Sequence, residues 1–383
     1  MAKNRLVNWV DSMSLSSKQF VQAENYFLSA IAENAGLNLS MCNYGLLPSK
    51  TDHGLYNGIR VNEHATGRIE VQLYSCRAIT ASGYQIDFNA EESGAPLVKH
   101  YNPLKDKNIR NRDIRRWDVI LSVDPFNREP MGEPDPEEVP PRHPDCQSTY
   151  ALYVMPEGDI NTMEFGRHYM TIGRVRKDGE RYVVDTNYIP PSASMSSHPE
   201  LLDYYNRFSS FFVSIENSSK IILGKIHKHS GKNDLAAHIH IMCKEVLRYI
   251  SQIFFDLRNS ARGAAPIEMV NYVSSLAHVC YISMIFLNSK HKEEMLKYFY
   301  EWTDIAPGSF EELIADTLEI IYEHDNLRAM MVRSETFLHT FTELWERMGK
   351  LEYIGQHKES IVVSERKQNR GNEGITRTWS VTD

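Results

Sequence analysis

The spacing of apolar positions changes character along the chain, and each change predicts a different kind of structure. After an irregular opening, Ser16 or Ser17 can cap a helix running to about Ala35, with Phe20, Ala23, Phe27, Ala30 and Ile31 on one face and Gly36 as the stop. From about Met41 to Tyr188 the period drops to two. In GRIEVQLYSC, Ile69, Val71 and Leu73 alternate with Arg68, Glu70 and Gln72, the pattern of a half-buried strand. GYQIDF, WDVILSVD, STYALYVM and YMTIGRV read as further strands, and Asp178-Gly179 is a hairpin signal. Many short strands without interleaved helices predict an antiparallel sandwich or barrel. Inside this zone NREPMGEPDPEEVPPRHPD carries six prolines in 19 residues. That density excludes an interior strand or helix and predicts a long ordered loop or extended arm.

From His198 the period is helical. Leu201, Tyr205, Phe208, Phe212, Ile215, Ile222 and Ile226 follow 4-3-4-3 spacing with one gap at Ser219. Leu235, Ile239, Met242, Val246, Tyr249 and Ile253 repeat it, as do Val270, Val273, Ala277, Cys280, Met284 and Leu287. Such seams in successive helices predict a bundle. Two more helices are expected over about 309–324 and 327–350, the last with Phe337, Phe341, Leu344, Met348 and Leu351 in register. From about Gly355 the chain has little apolar content, and a flexible tail is expected unless a partner orders it. The predicted fold class is therefore α+β. An N-terminal β-sandwich shell domain with a leading helix (1–197) precedes a helical bundle or neck (198–350) and a polar tail (351–383).

Composition narrows the function classes. The 383 residues are 42% hydrophobic and 24% charged, with a formal net charge of -8, which argues against a dedicated nucleic-acid or anionic-membrane surface. No apolar run reaches the roughly 20 residues of a membrane span. The N-terminus lacks the apolar core of a secretory signal. Cys42, Cys76, Cys146, Cys243 and Cys280 are scattered and form no CxxC, which suits a reducing cytoplasm.

Catalytic patterns are missing. The sequence contains no GxGxxG, GxxxxGK[ST], GxSxG or HExxH. HKHSGKNDLAAHIHIMC brings His227, His229, His238, His240 and Cys243 within 17 residues, a donor-rich stretch. On a helix, however, residues two apart point to different sides, so His238 and His240 cannot share an ion. Asp135, Glu137 and Glu138 lie in the proline-rich arm, which does not hold carboxylates against a pocket as acid–base chemistry requires. No enzyme activity, cofactor or metal is expected.

The opening NWVDSMSLSSKQF resembles the start of the TssK (ImpJ, VasE) family, the baseplate adaptor of type VI secretion systems. That family opens with a tryptophan, a Glu-Gly-Met step, a leucine, and a helix bearing His-Phe. Trp9, Met13, Leu15 and Phe20 keep the apolar positions, Asp11-Ser12 replaces Glu-Gly, and Gln19 stands where the histidine would be. NYGLLP at 43–48, EVPPRHP in the acidic loop and NYIPPSASMSSHPELLDYYNRF resemble later landmarks in order. APIEMVNYVSSLA at 265–277 resembles a bundle helix.

The resemblance implies a shell domain like those of siphophage receptor-binding proteins, a helical stem and a homotrimer. It also implies a location at the cytoplasmic face of the inner membrane, with the shell docked on a TssF–TssG wedge and a further β-rich head on the envelope-spanning complex. Residues 309–350 read instead as helices, so a divergent member is implied, such as one of the Bacteroidetes type with a different trans-envelope apparatus. Direct membrane insertion and nucleic-acid binding are not expected. Trp9, Met13, Leu15 and Phe20 are the candidate protein-interface residues, although Trp9 could instead close its own shell. Two other readings stay open: a phage-tail or tailocin receptor-binding adaptor, and a metal-dependent hydrolase built on the histidine cluster.

Overall fold

The computed structural model describes residues 4–49, 58–64, 67–103, 114–159, 168–228, 233–303 and 305–358. The fold is α+β, with antiparallel sheets preceding a run of helices. It divides into two compact units. The first comprises residues up to 206 with 256–271 and 321–332; the second comprises 207–255, 272–320 and 333 onward.

The first unit opens with helix α1 (Ser17–Gly36). It continues through β1 (Gly45–Leu46), β2 (Ile59–Glu63), β3 (Ile69–Leu73), β4 (Ser75–Ile79), β5 (Gln85–Asn89), the short helix α2 (Ala90–Ser93) and β6 (Leu97–Tyr101). Strands β7 (Arg116–Met131), β8 (Asp145–Pro156), β9 (Tyr169–Asp178) and β10 (Arg181–Val184) complete it. The strands form three antiparallel sheets, ordered β1–β4–β5, β2–β3–β6 and β10–β9–β7–β8. Their inner faces meet in one core. Ile69, Val71 and Leu73 enter it from β3, Cys76 and Ala78 from β4, and Trp117, Val119 and Leu121 from β7. Trp117 is fully buried and meets Tyr182 edge-on at 5.3 Å.

The proline-rich stretch departs from the sequence expectation at its ends. Strand β7 runs through Pro125 and Pro130 to Met131, and Asn127 to Asp145 is not all loop. The reason is position. Among the described residues, β7 pairs with β9 as far as Ser122, with the Val123 N–H donating to the His168 carbonyl just beyond, and from there it pairs with β8, with a register shift between Asp124 and Arg128. Both prolines lie past the last described β9 partner, the kind of edge position in which proline is tolerated. The remainder, 132–144, is the predicted arm.

A backbone strap ties the early and late parts of this unit. The Leu46 N–H donates to the Pro191 carbonyl and the Ala193 N–H to the Leu46 carbonyl, each at 2.8 Å. Leu46 and Ser192 form a parallel bridge, both buried. Gly45 permits this approach: its φ is +112, and a Cβ there would lie 2.1 Å from the Pro191 carbonyl oxygen. Only glycine meets both conditions. Residues 321–332 pack on the same place. The Tyr44 hydroxyl donates to Asp325 (2.9 Å), and His324 Nε2 lies 2.8 Å from the Tyr44 carbonyl. Arg328 reaches the Asn187 and Thr186 carbonyls, Glu200 (2.9 Å) and the Tyr204 hydroxyl.

The strap leads into helix α3 (Pro199–Lys228) through His198. Its Nδ1 accepts from the Glu200 N–H (3.3 Å), which requires the unprotonated ring nitrogen. Burial pushes the imidazole down to about 4, with the Arg328 cation acting in the same direction against the pull of Glu200.

The second unit is all helical. It draws on α3, α4 (Asp234–Asn259), α5 (Pro266–Ile285), α6 (Ser289–Thr303), α7 (Pro307–Leu318) and α8 (Leu327–Lys350). Phe212, Ile215, Ser219 and Ile222 are buried along α3, so the predicted seam includes its polar gap. Ser219 is there for a partner: its hydroxyl accepts the Trp345 indole N–H at 2.9 Å in a fully buried setting. An unpaired indole N–H at that depth would cost about 1–3 kcal/mol. Helix α6 is an addition to the sequence reading, and α7 ends at Leu318 rather than near 324. Residues 351–358 are held rather than loose. The Gly355 N–H donates to the Tyr298 hydroxyl (3.0 Å), and His357 pairs with Glu301 (2.6 Å). The rest of the expected tail lies outside the described residues.

Two predictions follow from the strap. Gly45→Ala combines a left-handed φ with a backbone clash and is expected to cost about 3 kcal/mol or more in denaturant unfolding. Gly36→Ala, where an added Cβ meets nothing within 4 Å, should change stability by less than about 1 kcal/mol. Equal tolerance of both would remove the strap from the account. For His198, the folded value lies below the unfolded value of about 6.5. Stability is therefore whole above pH 6.5 and falls as pH drops toward 4, by about 1.4 kcal/mol per unit from this residue. His198→Asn should flatten that part of the pH profile of thermal unfolding.

Candidate functional site

The N-terminal segment and α1 form the most conspicuous surface of the first unit. The segment turns at Val10–Met13, where the Met13 N–H donates to the Val10 carbonyl (3.3 Å). Ser12 sits at φ +64, in the left-handed region that favours glycine, at the position where the resembled family carries its glycine. Helix α1 then starts at the predicted Ser16 cap, whose N–H donates to the Gln19 side-chain oxygen (3.0 Å), one arm of a capping box.

One side of α1 is seated on the shell. Ala32 is buried over Gly83, whose φ is +85 and where a Cβ would lie 2.3 Å from the Ala32 carbonyl oxygen. Asn4 donates to the Ser29 hydroxyl (2.7 Å), and Arg128 from the β7 ribbon pairs with Glu24 and with Asn25 (2.8 Å). Ala23, Tyr26, Leu28 and Ala30 are half-buried on α1 beside these polar contacts.

The apolar side is turned away from the shell. Leu6, Trp9, Val10, Leu15, Phe20, Val21, Phe27 and Ile31 are all exposed. Trp9 is 53% and Phe20 54% accessible, and their rings lie 6.4 Å apart. Of the four candidate interface residues, the structure brings Trp9 and Phe20 together, leaves Leu15 exposed, and half-buries Met13. Trp9 is not among the residues of the shell core, which include Trp117. An amphipathic helix with its apolar face outward, continued by an exposed aromatic segment, has the composition of a contact surface.

The chemistry-bearing residues are dispersed. His227 on α3 faces His240 on α4 with ring nitrogens 3.3 Å apart, while His238 stacks near His291 on α6 at 4.7 Å. The predicted separation of His238 from His240 is what is seen. Both are held below the ordinary imidazole value by burial first, then by the neighbouring histidine. The Cys243 thiol is buried and pushed up to about 12, and His229 lies outside the described residues. Among the described residues these histidines form pairs rather than a three-donor centre.

Among the described residues, one group does bring three donors together: His64, Glu70 and His100. Sequence reasoning missed it because the three are separated by 6 and 30 positions, and only the strand register makes them neighbours. Hydrogen bonding, chiefly from Asn62, holds Glu70 below the usual carboxylate range. Among the described residues no helix is long and apolar enough to cross a membrane.

A scan against protein-family models and a search of curated proteins give no match. Solved structures do match. A crystal structure of TssK aligns at TM-score 0.51 and 15% identity, over 88% of this chain and 69% of that one. TssK from the EAEC type VI secretion system, bound to a nanobody, aligns at 0.47 and 11% identity, over 87% of this chain and 99% of that one. A chain of a TssK–TssF–TssG baseplate subcomplex aligns at 0.48 and 12%, over 89% and 100%. The chain thus has a TssK-like fold.

Proposed function

We propose that this chain is a structural adaptor of a type VI secretion baseplate, a non-enzymatic homotrimer that links a TssF–TssG wedge to the trans-envelope complex from the cytoplasmic side. The observation that carries the reading is the TssK-like fold over 88% of the chain. It is supported by the ordered landmarks of the sequence, two of which, Asn43–Pro48 and Asn187–Ser194, pair through the strap. In this reading residues 1–197 form the docking shell, 198–350 the stem, and 351–383 a polar tail. Trp9, Met13, Leu15 and Phe20, continued by Phe27 and Ile31, form the protein contact of the shell. Exposed aromatics framed by polar residues such as Asp11, Gln19 and Glu24 are the composition of an interface hot spot.

Light scattering on the purified protein should return the mass of three chains. Trp9→Ala with Phe20→Ala should leave that mass and the melting temperature near wild type, because neither side chain is in the core. The same variant should weaken capture of co-expressed wedge proteins by about 2 kcal/mol or more, roughly thirtyfold. Undiminished capture by a folded double variant would contradict the placement of the contact.

A further inference from the structure

Strand β3 is the middle strand of its sheet, and the register sets Asn62 of β2 and His100 of β6 directly opposite Glu70. Ile69 and Val71 point into the core, so Glu70 and its cross-strand partners occupy the outer face. His64 follows β2 at once, and its carbonyl accepts the Gly67 N–H (2.9 Å). His64 Nε2 lies 3.4 Å and His100 Nδ1 3.6 Å from the same carboxylate oxygen, Glu70 Oε2. All three donor atoms fall within 4.8 Å of one another. The other oxygen, Oε1, accepts from Gln72 Nε2 (2.6 Å) and Asn62 Nδ2 (3.4 Å), and the Tyr74 hydroxyl donates to Gln72 in turn (2.7 Å). One carboxylate oxygen is held by amides while the other is presented to two imidazoles.

We propose that His64, Glu70 and His100 form a binding site for a divalent transition-metal ion of the zinc class. Tetrahedral bonds of about 2.0–2.1 Å separate adjacent donor atoms by about 3.3–3.4 Å, close to the spacing found around Oε2. Two imidazoles and a carboxylate, with a fourth position open, are a donor set that zinc, nickel and copper accept. The two rings are about half exposed, at 49% and 51%, and can pivot to close the remaining gap without disturbing the core. Glu70, 17% exposed, is the fixed donor. Gln72 and Asn62 are positioning residues: they fix the carboxylate so that Oε2 stays available. A shallow depression of about 610 Å³ is lined by His64 with Glu63, Gly67, Arg181 and Tyr182. A plain ion pair of Glu70 with protonated histidines would use the same atoms and bind no metal.

The test uses the full-length, tag-free chain, stripped with a chelator and titrated with Co²⁺ alone, reading visible absorption and calorimetric stoichiometry. Wild type should bind one equivalent with the intense visible bands of a tetrahedral site, and Zn²⁺ should displace it. His64→Gln with His100→Gln should lower affinity at least a hundredfold while leaving the circular dichroism and melting temperature of the metal-free protein unchanged. Gln72→Ala should lower it about tenfold. No cobalt spectrum and no binding heat in wild type would overturn the site. So would undiminished binding in the folded double variant, which would place the ion on other histidines such as His227 and His240.

Discussion

The first unit depends on two backbone hydrogen bonds, those joining Leu46 to Pro191 and Ala193. They close a chain separation of about 145 residues and leave no room for a side chain at Gly45. Everything around them is arranged to keep polar atoms paired once that contact is made. Tyr44 is buried and is met at its carbonyl by His324 and at its hydroxyl by Asp325, while Arg328 bonds the exposed carbonyls of Thr186 and Asn187. The Tyr44 carbonyl left without its partner would cost about 1–3 kcal/mol, so His324 is required by the strap. His198 belongs to the same arrangement: its neutral ring serves as an acceptor at the start of α3, so acidification acts on the same junction.

Much of this was legible where a periodic pattern and its physical cause coincide. The alternation at Ile69, Val71 and Leu73 marked the buried face of β3, and the helical seams marked the buried faces of α3 and α4. Even the irregularity at Ser219 carried information, since the break in the seam is the acceptor for Trp345. Patterns failed where tertiary context decides. Helix α6, SKHKEEMLKYFYEWT, is too charged to announce itself, yet Met295, Leu296, Tyr298 and Phe299 are buried on one side. Prolines argued against strand over 127–145, but β7 continues to Met131 beside β8, past its last described β9 partner, where the rule against proline relaxes.

The candidate sites divide in the same way. Periodicity correctly placed Phe20, Phe27 and Ile31 on one face of α1, but a helical period says only that a face is apolar, not what it packs against. The shell meets α1 through Arg128, which pairs with Glu24 and Asn25, and through the close approach of Ala32 to Gly83, while Phe20, Phe27 and Ile31 stay exposed. The His64–Glu70–His100 group had no sequence signal at all, because strand pairing, not spacing, assembles it. The conspicuous histidine run at 227–240 had a strong signal, and its described members His227, His238 and His240 fall into two separate pairs, one of them with His291.

The proposed docking role needs rigidity to hold a surface and a surface that gains by being covered; the paired polar atoms of the strap and the exposed apolar face of α1 support it. Hydrogen-exchange mass spectrometry tests this most directly, comparing peptides spanning 6–36 in the free protein and in its complex with the wedge proteins. The account predicts slowed exchange across that segment on complex formation, with the strap at 43–48 and 187–194 already protected in the free protein. Complex formation with unchanged exchange over 6–36 would contradict it.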